Sequence, residues 1–213
     1  MITQYVIAFI VIYLFASIPW GFILGKTQGV DIREHGSKNV GATNVNRVLG
    51  KKWALLCFFL DFLKGLIPVL VIRQVMPDAE YATVLAAFAA FAGHVWTIYL
   101  KFKGGKGIAT SAGIITAISW PSYVIPMTLW IIVFYASRYV SLASVLAAIF
   151  VPIVAYFVNI SEIAIFSKIT DSEMILLCVI AVLAVVKHSS NIKRLLNGTE
   201  SRFEKKKKEE ASN

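Results

Sequence analysis

Charge is scarce in this chain: 15% of its 213 residues are Asp, Glu, Lys or Arg, where a soluble domain averages about a quarter. Hydrophobic residues make up 58% and the mean hydropathy is +0.72. Together these exclude an ordinary soluble domain and point to an integral membrane protein. Acidic charge is the scarcer sign, 12 residues against 21 basic ones. The basic residues flank apolar runs and follow no groove-binding motif, so nucleic acid is excluded as a partner and the lipid bilayer is expected instead. There are two cysteines, Cys57 and Cys178, both inside apolar runs, which excludes a disulfide scaffold. The three histidines, His35, His94 and His188, lack ligand spacing, and Asp31, Glu34 and Asp61 are too spread for a two-metal centre, so no metal or other cofactor is expected. No Ser/His/Asp triad or carboxylate dyad can be named, and no internal repeat is visible.

What the chain does have is apolar runs long enough to span a bilayer. Ile2 to Leu24 is the first, and with no basic stretch before it and no cleavage site after it, it reads as a retained helix. Ser17-Ile18-Pro19 and Gly21 loosen it near its inner end. Lys26, Arg33, Lys38, Arg47, Lys51 and Lys52 follow, which puts the N-terminus outside and this loop inside. Trp53 to Val75 and Tyr81 to Leu100 are the next spans, and Ser144 to Val158 and Met174 to Val186 the last two. The segment with Glu162, Lys168, Asp171 and Glu173 belongs outside, and the basic tail after Lys187 inside. One crossing between Lys106 and Arg138 would invert everything that follows. The break at Trp120-Pro121 allows two short helices instead, Ile108 to Ser119 and Tyr123 to Ala136. The first reaches roughly 18 Å against a core of roughly 30 Å, so a short or partly re-entrant hairpin is expected. The expected fold is therefore all-α, a polytopic protein of about seven transmembrane or part-membrane helices with a cytoplasmic C-terminus. Residues 1–200 form the membrane-embedded domain and 201–213 a charged, disordered tail whose lysines lie against anionic lipid.

The stretch around which the rest is organised is Lys101-Phe-Lys-Gly-Gly-Lys-Gly107, with three lysines and three glycines in seven residues. Glycine lets a backbone turn its N–H groups toward a ligand, and the apolar run from Ile108 opens a helix whose N-terminus favours an anion. The spacing is not that of a nucleotide P-loop, since Gly107 and not Ser or Thr follows Lys106. A positive-inside loop would explain the lysines, but not the glycines. Three further polar patches share the cytoplasmic face. Asp31 to Arg47 is dense in Gly, Ser, Thr and Asn, suited to a tight loop or a polyol, with Arg47 as a fork for phosphate. Ser137 to Ser144 includes Ser141 and Ser144, for each of which capping or packing and ligand contact are both open. His188 to Glu200 brings Asn191 and Arg194 onto nearly the same face as His188. Within the bilayer, Asp61 and Lys64 sit one turn apart and should form an ion pair.

Phosphate-binding groups at a membrane surface suggest an enzyme working between a soluble phosphate and a lipid. A membrane transporter of phosphate or a polyol phosphate is the alternative, but it would carry internal repeats. The ordered motifs settle on one resemblance. Ser17-Ile-Pro with Gly21, Gly36-Ser-Lys-Asn-Val-Gly-Ala-Thr-Asn with Arg47, and Asp61-x-x-Lys64-Gly65 come first. Gly93-His94 with Phe102-Lys-Gly-Gly-Lys-Gly-Ile-Ala-Thr, Arg138-Tyr-Val-Ser-Leu-Ala-Ser and His188-x-x-Asn191-Ile-x-Arg194-Leu-x-x-Gly198-x-Glu200 complete the set. Nearly the whole chain resembles the bacterial acyl-phosphate:glycerol-3-phosphate acyltransferase family, membrane enzymes that perform the first acyl transfer of phospholipid synthesis. Thr97 departs from the pattern, where a proline is expected.

The resemblance implies transfer of a fatty acyl group from acyl phosphate to the sn-1 hydroxyl of glycerol 3-phosphate, giving 1-acyl-glycerol 3-phosphate and inorganic phosphate. It implies a multi-pass protein of the bacterial inner membrane with its active site facing the cytoplasm. Lys106, Ser37, Asn39 and His188 are the candidate catalytic residues. Arg47, Asn44, Gly41 and Thr43 in the first patch are candidates for substrate binding. Lys103, Gly104, Gly105, Gly107 and Thr110 join them from the lysine–glycine loop, and Ser141, Ser144, Asn191 and Arg194 from the later patches. Coenzyme-A-dependent acyltransferases with a His-x4-Asp motif are not matched, since no histidine here has Asp at that spacing.

Overall fold

The computed structural model describes residues 2–79, 81–161 and 168–203. Glu162 and the lysines of residues 205–208, assigned above to an outer loop and a disordered tail, lie outside the described residues. Among those described, every regular element is helical. The elements are α1 (Ile2–Ala16), α2 (Trp20–Thr27), α3 (Ala42–Leu49), α4 (Lys51–Val75) and α5 (Ala82–Val95), then a short 3-10 turn (Ile98–Leu100). After it come α6 (Ile108–Ile118), α7 (Trp120–Ser137), α8 (Val140–Ile160), α9 (Asp171–Lys187) and α10 (Ser189–Leu196). Five segments, Ile2–Thr27, Lys51–Val75, Ala82–Leu100, Trp120–Ser137 and Val140–Ile160, are long and apolar enough to cross a membrane. A sixth is α9 with α10 if that pair, bent by 54°, is one span. A count of seven holds only with α6 included.

Two sequence breaks divide the chain, and α7, starting at Trp120, is longer than the short helix expected from Tyr123 to Ala136. Pro19 stands before α2 and ends the first apolar run, so the expected single helix is two. Pro121 occupies the first turn of α7, where its missing N–H costs nothing, and Ser119 is extended between α6 and α7. Pro68, Pro126 and Pro152 are carried inside helices. The third span is shorter than its apolar run suggests: α5 stops at Val95, and the chain tightens into the 3-10 turn. There Thr97 donates its hydroxyl to the Ser17 carbonyl, and Tyr13 donates to the Trp96 carbonyl at 2.6 Å. Thr97 thus supplies an acceptor left bare by the end of α1 with a donor that proline lacks.

α6 is short because it starts part-way down the bundle. Gly65 of α4 lies on the Thr110 backbone, and Gly113 lies on the Phe62 carbonyl and the Leu66 amide, so a side chain at either would drive α4 and α6 apart. The loop before α6 therefore reaches the level of Asp61 and Lys64, roughly 20 Å along α4 from its start. At the far end of α6, Arg73 donates to the Ala117 and Ile118 carbonyls at 2.9 and 3.0 Å.

Candidate active site

The lysine–glycine loop is folded back onto the end of α5. Lys101 and Phe102 take left-handed φ of 53° and 62°, which turns the chain inward. The Gly104 amide then donates to the Val95 carbonyl at 3.1 Å and the Gly105 amide to the His94 carbonyl at 3.2 Å. This corrects the expectation for Gly104 and Gly105: their amides face α5 and not a ligand. Their lack of a side chain serves close approach, since a Cβ on Gly104 would strike the His94 carbonyl and one on Gly105 the His94 imidazole. The backbone donors without a protein acceptor, among the described residues, begin at Lys106 and Gly107 and run into the first turn of α6. Gly107 starts that helix with a φ of 87°. Lys101 and Lys103 stay exposed, while Lys106 is half-buried.

Lys106 Nζ donates to Asn191 Oδ1. Asn191 Nδ2 passes the chain on to Glu200 Oε1 at 2.7 Å, where the Ser141 hydroxyl also donates at 2.7 Å. Arg194 Nε donates to the other oxygen, Oε2, at 2.7 Å. Burial opposes ionisation of Glu200, but the bonds from Asn191, Ser141 and Arg194 outweigh it and hold its carboxyl below the ordinary value. The bend between α9 and α10 turns His188 into the same cluster. Its Nδ1 lies 2.8 Å from the Ala184 carbonyl, which can only accept, so Nδ1 carries the proton and Nε2 is left as an acceptor. Lys106 is pushed down to about 8, by burial first and then by Arg194, Arg47 and Lys187 against the pull of Glu200.

The first patch divides into two groups. Asn44 is buried, with Nδ2 donating to the Ile32 and His35 carbonyls at 2.8 and 3.1 Å and Oδ1 accepting the Ser37 amide at 2.7 Å. This corrects its reading as a substrate contact: its side chain is spent on holding the loop. Asn39 Oδ1 accepts the Gly41 amide at 2.9 Å and so fixes the start of α3. From that helix Arg47 extends exposed, with no ion pair among the described residues, near enough to act on Lys106. Among the described residues no hydrogen bond joins Ser37, Asn39, Thr43 or Lys103 to the Lys106 cluster. Thr110 is buried where α6 meets Gly65, and Ser144 accepts from Trp130 Nε1 at 3.0 Å, so both sit in packing positions.

An apolar cavity of about 70 Å³ opens between α6, α7, α8 and α9. It starts at Ile108, directly after Gly107, and at Ala184, whose carbonyl holds His188, and runs toward Tyr123, Val151 and Leu177. The apolar groove thus begins one residue beyond Gly107 and one helical turn before His188.

Over residues 6–198 the sequence matches the family described as glycerol-3-phosphate acyltransferase. The chain belongs to that family. It is 41% identical over 195 residues to the glycerol-3-phosphate acyltransferase of Aquifex aeolicus (strain VF5), covering 90% of this chain and 95% of that protein. Its fold is similar to that of PlsY (YgiH), an integral membrane glycerol 3-phosphate acyltransferase, solved by crystallography in a glycerol 3-phosphate form. The TM-score is 0.87 at 37% identity, with 94% of this chain and 96% of that one covered. Against the lysophosphatidic acid form of PlsY the TM-score is 0.85.

For this acyltransferase the membership sets aside the transporter alternative. The geometry gives Glu200 a weight that its place in the last motif alone does not. It is the residue on which Ser141, Asn191 and Arg194 converge, from two distant parts of the chain. The ordered body of the acyltransferase also runs past residue 200. The Phe203 amide donates to the Arg138 carbonyl at 2.9 Å, and Arg202 Nε donates to the Tyr139 hydroxyl at 2.9 Å. Residues 202 and 203 are thus tied to the segment that precedes α8.

Proposed function

We propose that this acyltransferase takes its acyl group from acyl phosphate and delivers it to the sn-1 hydroxyl of glycerol 3-phosphate. The observation that carries the reading is the junction of Lys106 and the free amides of Lys106 and Gly107 with the mouth of the apolar groove. An acyl phosphate has a matching junction, a compact phosphate attached directly to a fatty chain. Lys106 and the amides hold the donor phosphate, and the chain lies in the groove between α6 and α9. Arg47, with the Ser37–Thr43 loop, holds the phosphate of glycerol 3-phosphate, and His188 Nε2 accepts from its hydroxyls.

The hydroxyl oxygen attacks the acyl carbon, the bond from that carbon to the phosphate oxygen breaks, and inorganic phosphate leaves with the hydroxyl proton. Because the donor is a mixed anhydride, positioning and charge stabilisation suffice without a strong protein base. The enzyme works in the bacterial inner membrane with this site toward the cytoplasm, on the side where the basic residues gather.

Kinetics of single variants test the assignment. Lys106→Ala is expected to lower kcat by about 10²–10³-fold, the usual cost of losing one donor to a developing oxyanion. Lys103→Ala, on the exposed side of the same loop, should cost severalfold at most, and Arg47→Ala should raise KM for glycerol 3-phosphate by about tenfold or more. Equally small effects at Lys106 and Lys103 would reduce the loop to a topology signal.

A further inference from the structure

Directly beneath the lysine–glycine loop lies a charged cluster that the transfer itself does not use. Lys64 and Asp61, one turn apart on α4, pair at 2.8 Å, and each is 2% exposed. Lys64 also donates at 2.8 Å to the Ile18 carbonyl, in the break between α1 and α2, which accepts the Trp20 amide as well at 3.1 Å. From α5, His94 brings Nδ1 to 3.6 Å from Asp61 Oδ1. The opposite edge of that ring supports Gly105: a Cβ there would collide with Nε2 and lie 2.9 Å from Cε1 and 3.2 Å from Cδ2. The ring has nowhere to retreat, since the cavity bounded by Ser17, Asp61, Lys64 and His94 measures about 10 Å³, the size of one water.

A buried ion pair is weak evidence for stability, because desolvating two charges offsets most of their attraction. Inside a membrane its presence calls for a role. We propose that Asp61, Lys64 and His94 are positioning residues. The ion pair fixes the His94 imidazole, the imidazole is the floor on which Gly105 rests, and that floor sets the depth at which Lys106 meets the donor phosphate. The proposal rests on the assignment of Lys106 made above.

The two glycines give a control within the loop. The three atoms nearest a Cβ on Gly105 all belong to the His94 side chain, whereas one on Gly104 meets backbone, the His94 carbonyl and the Val95 carbonyl at 2.8 Å. Replacing His94 by Asn keeps a polar group toward Asp61 and removes the edge that faces Gly105. The experiment compares purified Gly105→Ala, Gly104→Ala and His94→Asn, the two glycine variants each combined with His94→Asn, and Lys106→Ala. Each is assayed for kcat and KM and for thermal unfolding. Gly105→Ala should lose about 10²-fold in kcat/KM, as a displacement of about 1 Å can. Adding His94→Asn should recover at least about tenfold of that loss, because contacting residues couple. The Gly104→Ala loss should not be recovered.

If Gly105→Ala does not fold, Asp61→Asn/Lys64→Met removes the pair without stranding a charge, and should unfold cooperatively yet turn over at least about tenfold slower. Undiminished turnover in Gly105→Ala or in the folded Asp61→Asn/Lys64→Met protein, or no recovery by His94→Asn, would overturn the proposal. Near-normal turnover by Lys106→Ala would remove its foundation instead.

Discussion

Lys106 and Lys103 share a loop, and burial separates them. The partly desolvated ammonium of Lys106, crowded by Arg194, Arg47 and Lys187, holds its proton only to about pH 8. Its charged form, the one the proposed phosphate contact needs, therefore prevails below that value in the free enzyme and is lost above it. kcat/KM, which reports the free enzyme, should fall as pH rises through about 8. A bound phosphate dianion favours the charged amine, so kcat should fall only at higher pH. A kcat/KM profile flat from about pH 7 to about pH 9 would contradict this. Lys106 stands out in the sequence because glycines flank it on both sides. The role of Asn44 was not legible there, since an asparagine in a Gly/Ser/Asn-rich loop can hold either a ligand or the backbone, and only the geometry shows which. Glu200 was hidden for another reason. A carboxylate near a phosphate site reads as repulsive until its three donors are seen to need it.

α6 is the element that carries the loop, and its two ends are held differently. Its N-terminus leaves amides open near Lys106, whereas its C-terminal carbonyls, buried away from water, are met by Arg73. Glu173, in the capped first turn of α9, lies 4.0 Å from the same guanidinium. Arg73→Met should strand the Ala117 and Ile118 carbonyls and cost about 1–3 kcal/mol. A thermal unfolding midpoint equal to that of the parent protein would refute the cap. The breaks at Pro19 and at Trp120-Pro121 were legible because proline removes a donor and restricts the residue before it. The stop of α5 at Val95 was not: the apolar run continues to Leu100, and what ends the helix is the return of Gly104 and Gly105 onto its last carbonyls.

Across the whole molecule, contacts sort the loops onto two ends. Lys106 reaches Asn191, Ser141 reaches Glu200 and the Arg138 carbonyl takes the Phe203 amide, so all these meet at one end. Arg73, Ile118 and Glu173 meet at the other. The pair of short α6 and span-length α7 therefore leaves and returns to the same end, as the basic-residue bias requires. In a background without Cys57 and Cys178, cysteines at positions 103 and 138 should label from the cytoplasmic side, and at Asp78 and Asp171 from outside. Labelling of 103 and 138 from opposite sides would discard the hairpin. The central claim is that the cradle recognises a phosphate on the acyl carbon itself. The direct measurement supplies acyl phosphate, acyl-Coenzyme A or an acyl-carrier-protein thioester separately, each with glycerol 3-phosphate and a chelator. Release of inorganic phosphate and formation of lysophosphatidic acid are then followed. A thioester offers Lys106 no charge at the reacting carbon, and in the proposed site lysine and arginine would meet the phosphate charge that a divalent cation otherwise meets. The account predicts ready turnover of acyl phosphate in chelator and little or none of either thioester; efficient use of a thioester, or complete loss of activity in chelator, would contradict it.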